Sequence, residues 1–164
     1  MRPEGGVACR LQWFDQLKLC YAFPALKSRP SDSRTKGALT MPIIDHNTVP
    51  ETSWRPNYRK WDLAGPKDGI SSNLFLSAVG VGAGAPLHFH EDDEIIVVLQ
   101  GTLEVRMGDD VHLVGADHTV IVPPRTPHAF TAVGTDEARI LGFFPTPDPF
   151  DHTTYLEGSP PPRS

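Results

Sequence analysis

The sequence predicts an all-β sandwich or barrel, on three observations. From Ile43 onward, short apolar runs rich in β-branched residues alternate with Gly, Pro and Asp, the pattern of strands separated by turns. Gln100-Gly101 and Gly108-Asp109-Asp110 stand between such runs and suit tight turns. After Met41 no stretch keeps a 3.6-residue apolar period for ten residues, so nothing is available for a layer of helices.

In chain order, the predicted strands are Ser72 to Val81, Leu87 to His90, Ile95 to Leu99, Leu103 to Met107, Val111 to Leu113, Thr119 to Val122, His128 to Val133 and Ala138 to Phe144. Residues 70–150 are therefore expected to form the barrel. Residues 41–69, with Trp54, Tyr58 and Trp61, read as an irregular N-terminal arm able to pack against a partner chain. Gly80 to Pro86 (GVGAGAP) reads as a flexible approach, and residues 151–164, ending GSPPPRS, as a polar tail. Residues 1–40 end in the turn-forming SRPSDSRTKG and are expected to be a disordered leader or to precede the true start at Met41.

The totals exclude several classes. The 164 residues suit one principal domain. Residues 1–40 carry seven Lys or Arg against three acids, and the remainder eight against seventeen. So acidic a body gives phosphates little to bind, which argues against nucleic acid. Cys9 and Cys20 are the only cysteines, too few and too far apart for a disulfide scaffold or thiolate cluster. No run of 18 apolar residues occurs, so no membrane-spanning helix is expected and a cytoplasmic protein is the default. No GxSxG and no phosphate-binding loop is present.

The chemistry concentrates in PLHFHEDDE, Pro86 to Glu94. Alternate residues of a strand share a face, so His88 and His90 point together while Phe89 packs the other way. A solvated pair has the same spacing, so this pattern alone does not decide for a metal. Glu91, Asp92 and Asp93 fall where the chain turns, and Glu94 begins the next strand. If the two strands form a hairpin, Glu94 joins the histidines. His128 follows the stiff PPRTP segment and offers a third imidazole. Three imidazoles and a carboxylate suit Fe(II), Mn(II), Zn(II), Ni(II) or Co(II) and leave room for substrate. His112 is expected on a solvent face, His118 in a turn, and His46 and His152 in the terminal arms.

These residues resemble the cupin superfamily. Its first motif is Gly, five residues, His-x-His, three or four residues, Glu, six residues, Gly, and Gly82, His88, His90, Glu94 and Gly101 match it in full. Its second motif is Gly, five residues, Pro-x-Gly, two residues, His, three residues, Asn. Pro123 and His128 match, but Asp117, Arg125 and Ala132 replace the two glycines and the asparagine. The resemblance implies a jelly-roll-like double-stranded β-barrel, frequent homodimers, and one divalent ion held by His88, His90, Glu94 and His128.

Family membership alone implies no single reaction. A non-haem Fe(II)-type dioxygenase acting on a small organic substrate, an anion among the candidates, is the first expectation. A non-oxidative isomerase, lyase or hydrolase using Mn, Zn or Ni is the second, and a non-enzymatic small-molecule binder the third. Glu94 and Arg125 are the expected catalytic residues, because a guanidinium three positions before a ligand suits a carboxylate. The opposing reading makes Arg125 a surface partner of an acid.

Overall fold

The computed structural model describes residues 42–162. The expected leader over 1–40, with both cysteines, lies outside the described residues. Among the described residues there is no α-helix, only three short 3-10 turns and eleven strands. No helix there is long and apolar enough to cross a membrane.

The strands are β1 (Thr52–Arg55), β2 (Tyr58–Ala64), β3 (Asn73–Val79), β4 (Gly84–His90), β5 (Glu94–Gln100), β6 (Thr102–Met107), β7 (Asp110–Gly115), β8 (His118–Val122), β9 (His128–Val133), β10 (Ala138–Phe144) and β11 (Thr153–Tyr155). They form a six-stranded sheet, β1-β2-β3-β10-β5-β8, and a five-stranded sheet, β11-β4-β9-β6-β7. Every pairing is antiparallel. This is the predicted jelly-roll architecture, and all eight expected strands are present.

Burial alternates along the strands as a face-to-face sandwich requires. In β10, Ala138, Ile140, Gly142 and Phe144 are buried while Arg139 is exposed. In β9, His128, Phe130 and Ala132 point inward. The core between the sheets joins Val79, Ile96, Val98 and Ile140 from one to Leu103, Val105, Phe130 and Ala132 from the other. Gly101 shows why a motif glycine is needed. Its φ is +74°, and a Cβ there would stand 2.8 Å from both the Ala138 Cα and the Glu137 carbonyl oxygen, too close for any other residue.

Four expectations change. First, β4 and β5 are not a hairpin: they lie in different sheets. The Glu91 to Asp93 turn carries the chain across the sandwich, so Glu94 meets the histidines from the opposite sheet. Second, Gly84, Ala85 and Pro86 belong to β4 itself, because Gly84 lies against the Phe130 carbonyl with no space for a side chain. Third, part of the segment read as an irregular arm is regular. β1 and β2 extend the six-stranded sheet, and Tyr58 is 4% exposed in its own chain's core, where the sequence suggested an arm able to pack against a partner chain. In the segment read as a polar tail, Thr153–Tyr155 adds an edge strand to β4.

Candidate metal centre and its cavity

His88 and His90 come from β4, His128 from β9 and Glu94 from β5. His88 and His128 are direct cross-strand partners, so register alone sets their rings side by side, 4.2 Å apart by centroid. All four side chains are buried, and one donor atom from each lies within 4.8 Å of the others.

The outer ring nitrogens reveal what the inner ones can do. His88 Nδ1 lies 2.6 Å from the Pro86 carbonyl oxygen, and His128 Nδ1 lies 2.9 Å from that of Thr126. A carbonyl only accepts, so both Nδ1 atoms carry the proton. His90 Nδ1 lies 2.8 Å from Thr153 Oγ1, whose own hydrogen goes to the Pro149 carbonyl at 3.0 Å, so here too Nδ1 donates. In their neutral form all three imidazoles therefore turn an Nε2 lone pair inward, the tautomer that outer hydrogen bonds impose on metal-binding histidines.

The inward atoms crowd together. His88 Nε2 is 3.1 Å from His90 Nε2, His128 Nε2 is 3.0 Å from Glu94 Oε2, and His90 Nε2 is 3.5 Å from the same oxygen. Acceptor against acceptor at such separations is repulsive unless a cation lies between them. The spacing suits neighbouring ligands that are each about 2.1 Å from a shared ion. The donor set thus fits a divalent metal, which His88, His90, Glu94 and His128 would hold.

Burial and neighbouring imidazoles push the His88 pKa down to about 4, which keeps the ring neutral as a ligand must be. Burial raises the Glu94 carboxyl, but in the metal-free protein His128 and His90, when either ring takes up a second proton, donate to it and bring the pKa down to about 2.

Residues 75–144 match the Cupin_2 family, a cupin domain. The barrel is a cupin domain. A relative, an uncharacterized protein of Methanocaldococcus jannaschii, is 29% identical over 90 residues, covering 54% of this chain and 72% of that protein. Among solved structures, the polyketide cyclase RemF from Streptomyces resistomycificus superposes with a TM-score of 0.63 at 22% identity, covering 73% of this chain and 88% of that one. An RmlC-like cupin from Shewanella frigidimarina gives 0.55 at 14%, covering 71% and 92%. At such identities the likeness is one of fold.

The cupin's second motif keeps its backbone without its glycines. Asp117 and Arg125, at the two glycine positions, both have positive φ, 63° and 59°. Asp enters this region readily. Arg does so at a cost of about 1–2 kcal/mol, and its backbone N–H donates to the His90 carbonyl at 2.7 Å. The Arg125 side chain is 74% exposed and pairs with Glu91 at 2.7 Å. It is not among the residues lining the metal cavity. Glu104 is exposed, and Arg106 beside it reaches Glu157 at 2.7 Å. His112 and His118 are exposed on β7 and β8, and His46 and His152 are exposed in 3-10 turns.

Beside the ligands lies a cavity of about 30 Å³, walled by Trp54, Arg55, Tyr58, Phe75, Phe150 and Tyr155. Thr153 and Tyr155 sit opposite His90 and His88 in register on β11, and the Tyr155 ring stacks on His88 at 5.5 Å. Burial pushes both the Tyr58 and the Tyr155 phenols up, with Ser77 opposing the shift for Tyr58 and Arg55 for Tyr155. Both therefore keep their protons.

Lys60 backs this wall. Its ammonium is 4.1 Å from the Trp54 ring centre and 4.4 Å from that of Phe150, with Asp62 at 2.9 Å. Burial lowers its pKa, against the pull of Asp62.

Sequence reasoning passed over Arg55 and Thr153. Arg55-Pro56-Asn57-Tyr58 carries a hairpin turn signal that would have exposed β1 and β2. Nothing marks the three-residue β11.

Proposed function

We propose that this cupin is a metal-dependent enzyme of the non-haem Fe(II) dioxygenase type, acting on a small organic acid. The convergence of three inward Nε2 lone pairs and one carboxylate on a single point beside a small cavity carries this reading. A bound divalent ion supplies Lewis acidity and, when it is iron, electrons for dioxygen chemistry. His88, His90, Glu94 and His128 would hold the ion, and four donors would leave it open to a substrate. The chain's own part is to hold the imidazoles in one tautomer and to exclude water with Trp54, Phe75 and Phe150. Tyr58 and Tyr155 line the cavity with their phenols protonated.

The test is metal analysis of protein purified without oxygen, followed by oxygen-uptake assays over small carboxylic acids, diols and thiols. Stoichiometric iron with uptake on one acid is expected, whereas a zinc-loaded protein inert to dioxygen would sink the reading. Tyr58 favours one alternative. A protonated phenol in the cavity of a redox-silent ion suits proton transfer in an isomerase or lyase. Turnover without oxygen uptake, lost in Tyr58→Phe, would select it.

A homodimer is part of the proposal. The outer face of the six-stranded sheet aligns half-buried Trp61, Leu76, Leu141 and Val97 in one row across β2, β3, β10 and β5. Beside it, Ile95 faces Ile121, which is 65% exposed. A continuous apolar face of this kind suits burial by a second copy. Val97→Asp is expected to give a monomer by light scattering, and an unchanged dimer mass would remove this face from consideration.

A further inference from the structure

We infer that Arg55 is the residue that recognises the substrate's carboxylate, and that the substrate is a small anion bound jointly by Arg55 and the metal. The inference rests on the metal-centre reading above and adds the group that selects the ligand.

The first observation is a β-bulge. Ser53 pairs with Arg59, but it is Arg55, not Trp54, that pairs with Tyr58. Regular alternation would send Trp54 and Arg55 to opposite faces of β1. With the bulge, both line the metal cavity, and re-aiming a side chain beside an active site is a recurrent use of such irregularities.

The second is an unmet donor. Arg55 Nε is buried and has no hydrogen-bond partner, a costly condition for a charged group. The rest of the side chain is held. One terminal nitrogen donates to the Ser159 carbonyl at 2.9 Å, and the guanidinium lies 5.5 Å from the centre of the Tyr155 ring. That ring in turn stacks on His88. The guanidinium is thus fixed in orientation with its buried Nε–H unclaimed.

The third is charge. Among the described residues lining the cavity, Glu94 is the one carboxylate and Arg55 the one lysine or arginine. A divalent ion offset by Glu94 keeps one positive charge, and Arg55 adds another. An apolar enclosure with that excess selects an anion, and a planar guanidinium matches a carboxylate. The small volume favours a ligand of a few heavy atoms, such as a 2-hydroxy acid.

The test uses the full-length protein loaded with Zn(II), with glycolate and its neutral amide, glycolamide, as probes. Glycolate should bind saturably and shift the Arg55 Nε–H resonance of arginine-labelled protein, and glycolamide should do neither. Arg55→Gln should retain stoichiometric zinc and bind glycolate about 10- to 100-fold more weakly, the loss of one charge-assisted hydrogen bond. Arg55→Lys should recover part of that loss. An unmoved Nε–H signal at glycolate saturation, an unchanged affinity in Arg55→Gln, or equal binding of the two probes overturns the inference. Because the resonance is read in the unsubstituted protein, a misfolded variant does not rescue it. Failure of the unsubstituted protein to take up metal would instead sink the metal-centre reading, and this inference with it.

Discussion

Two arginines stand near the metal centre, and their circumstances are opposite. Arg125 lies three residues before a ligand, yet its side chain is 74% exposed and answered by Glu91. Arg55 lies 33 positions before the nearest ligand in sequence, yet it lines the cavity with a buried N–H to spare. Closeness along the chain places a backbone, while strand register and burial place a side chain. An exposed ion pair is worth about 0–1 kcal/mol, so the Arg125–Glu91 pair is a surface fitting on a strained turn. A buried guanidinium donor without a partner marks a place for a ligand.

The contrast between interior and surface can be broken or sharpened by experiment. The largest effect belongs to the ligands themselves. His90→Ala is expected to abolish stoichiometric metal binding by elemental analysis, and retained metal would contradict the assignment. Next comes the support behind them. Thr153→Val removes the oxygen that accepts from His90 Nδ1 and should weaken metal affinity about 10- to 100-fold without unfolding the barrel, measured by competition with a chelating dye.

The third test is acid. In the metal-free protein His88 has its pKa lowered to about 4 and Glu94 to about 2. In both cases the unfolded chain binds the proton first, so stability must fall as pH drops. For His88 the loss runs from about 6.5 to 4, and for Glu94 from about 4.5 to 2. Denaturant midpoints across this range, with and without Zn(II), should show the bound ion delaying the loss. A flat profile for the metal-free protein would contradict the buried geometry. The smallest effect is at the surface. Arg125→Gly exchanges backbone strain and an exposed ion pair for chain entropy, so stability should move by no more than about 1 kcal/mol with metal content unchanged. A large loss of metal there would return Arg125 to the site.

The sequence disclosed most where a residue's role depends on local spacing. Strands β3 to β10 announce themselves by alternation, and His88, His90, Glu94 and His128 by a motif whose spacing the barrel requires. What it concealed depends on pairing between distant segments. Glu94 was legible as a companion of the histidines, but its arrival from the opposite sheet was not, because a three-residue turn between strands reads the same whether it closes a hairpin or crosses a sandwich. The positive φ of Arg125 was hidden by a residue that seldom adopts it. Arg55 and Thr153 were silent because a bulge and a three-residue edge strand leave no periodic trace, and each acquires its role only from what it lands against.

Trp54 gives the cavity wall a further property. Its indole lines the metal cavity and carries the Lys60 ammonium at 4.1 Å. An emitter beside a fixed charge and a chamber that fills or empties is a natural optical gauge. Light from Trp54, isolated by replacing Trp13 and Trp61 with Phe, would dim or change colour as ions and small anions enter, letting occupancy be followed in real time without attaching any dye to the barrel.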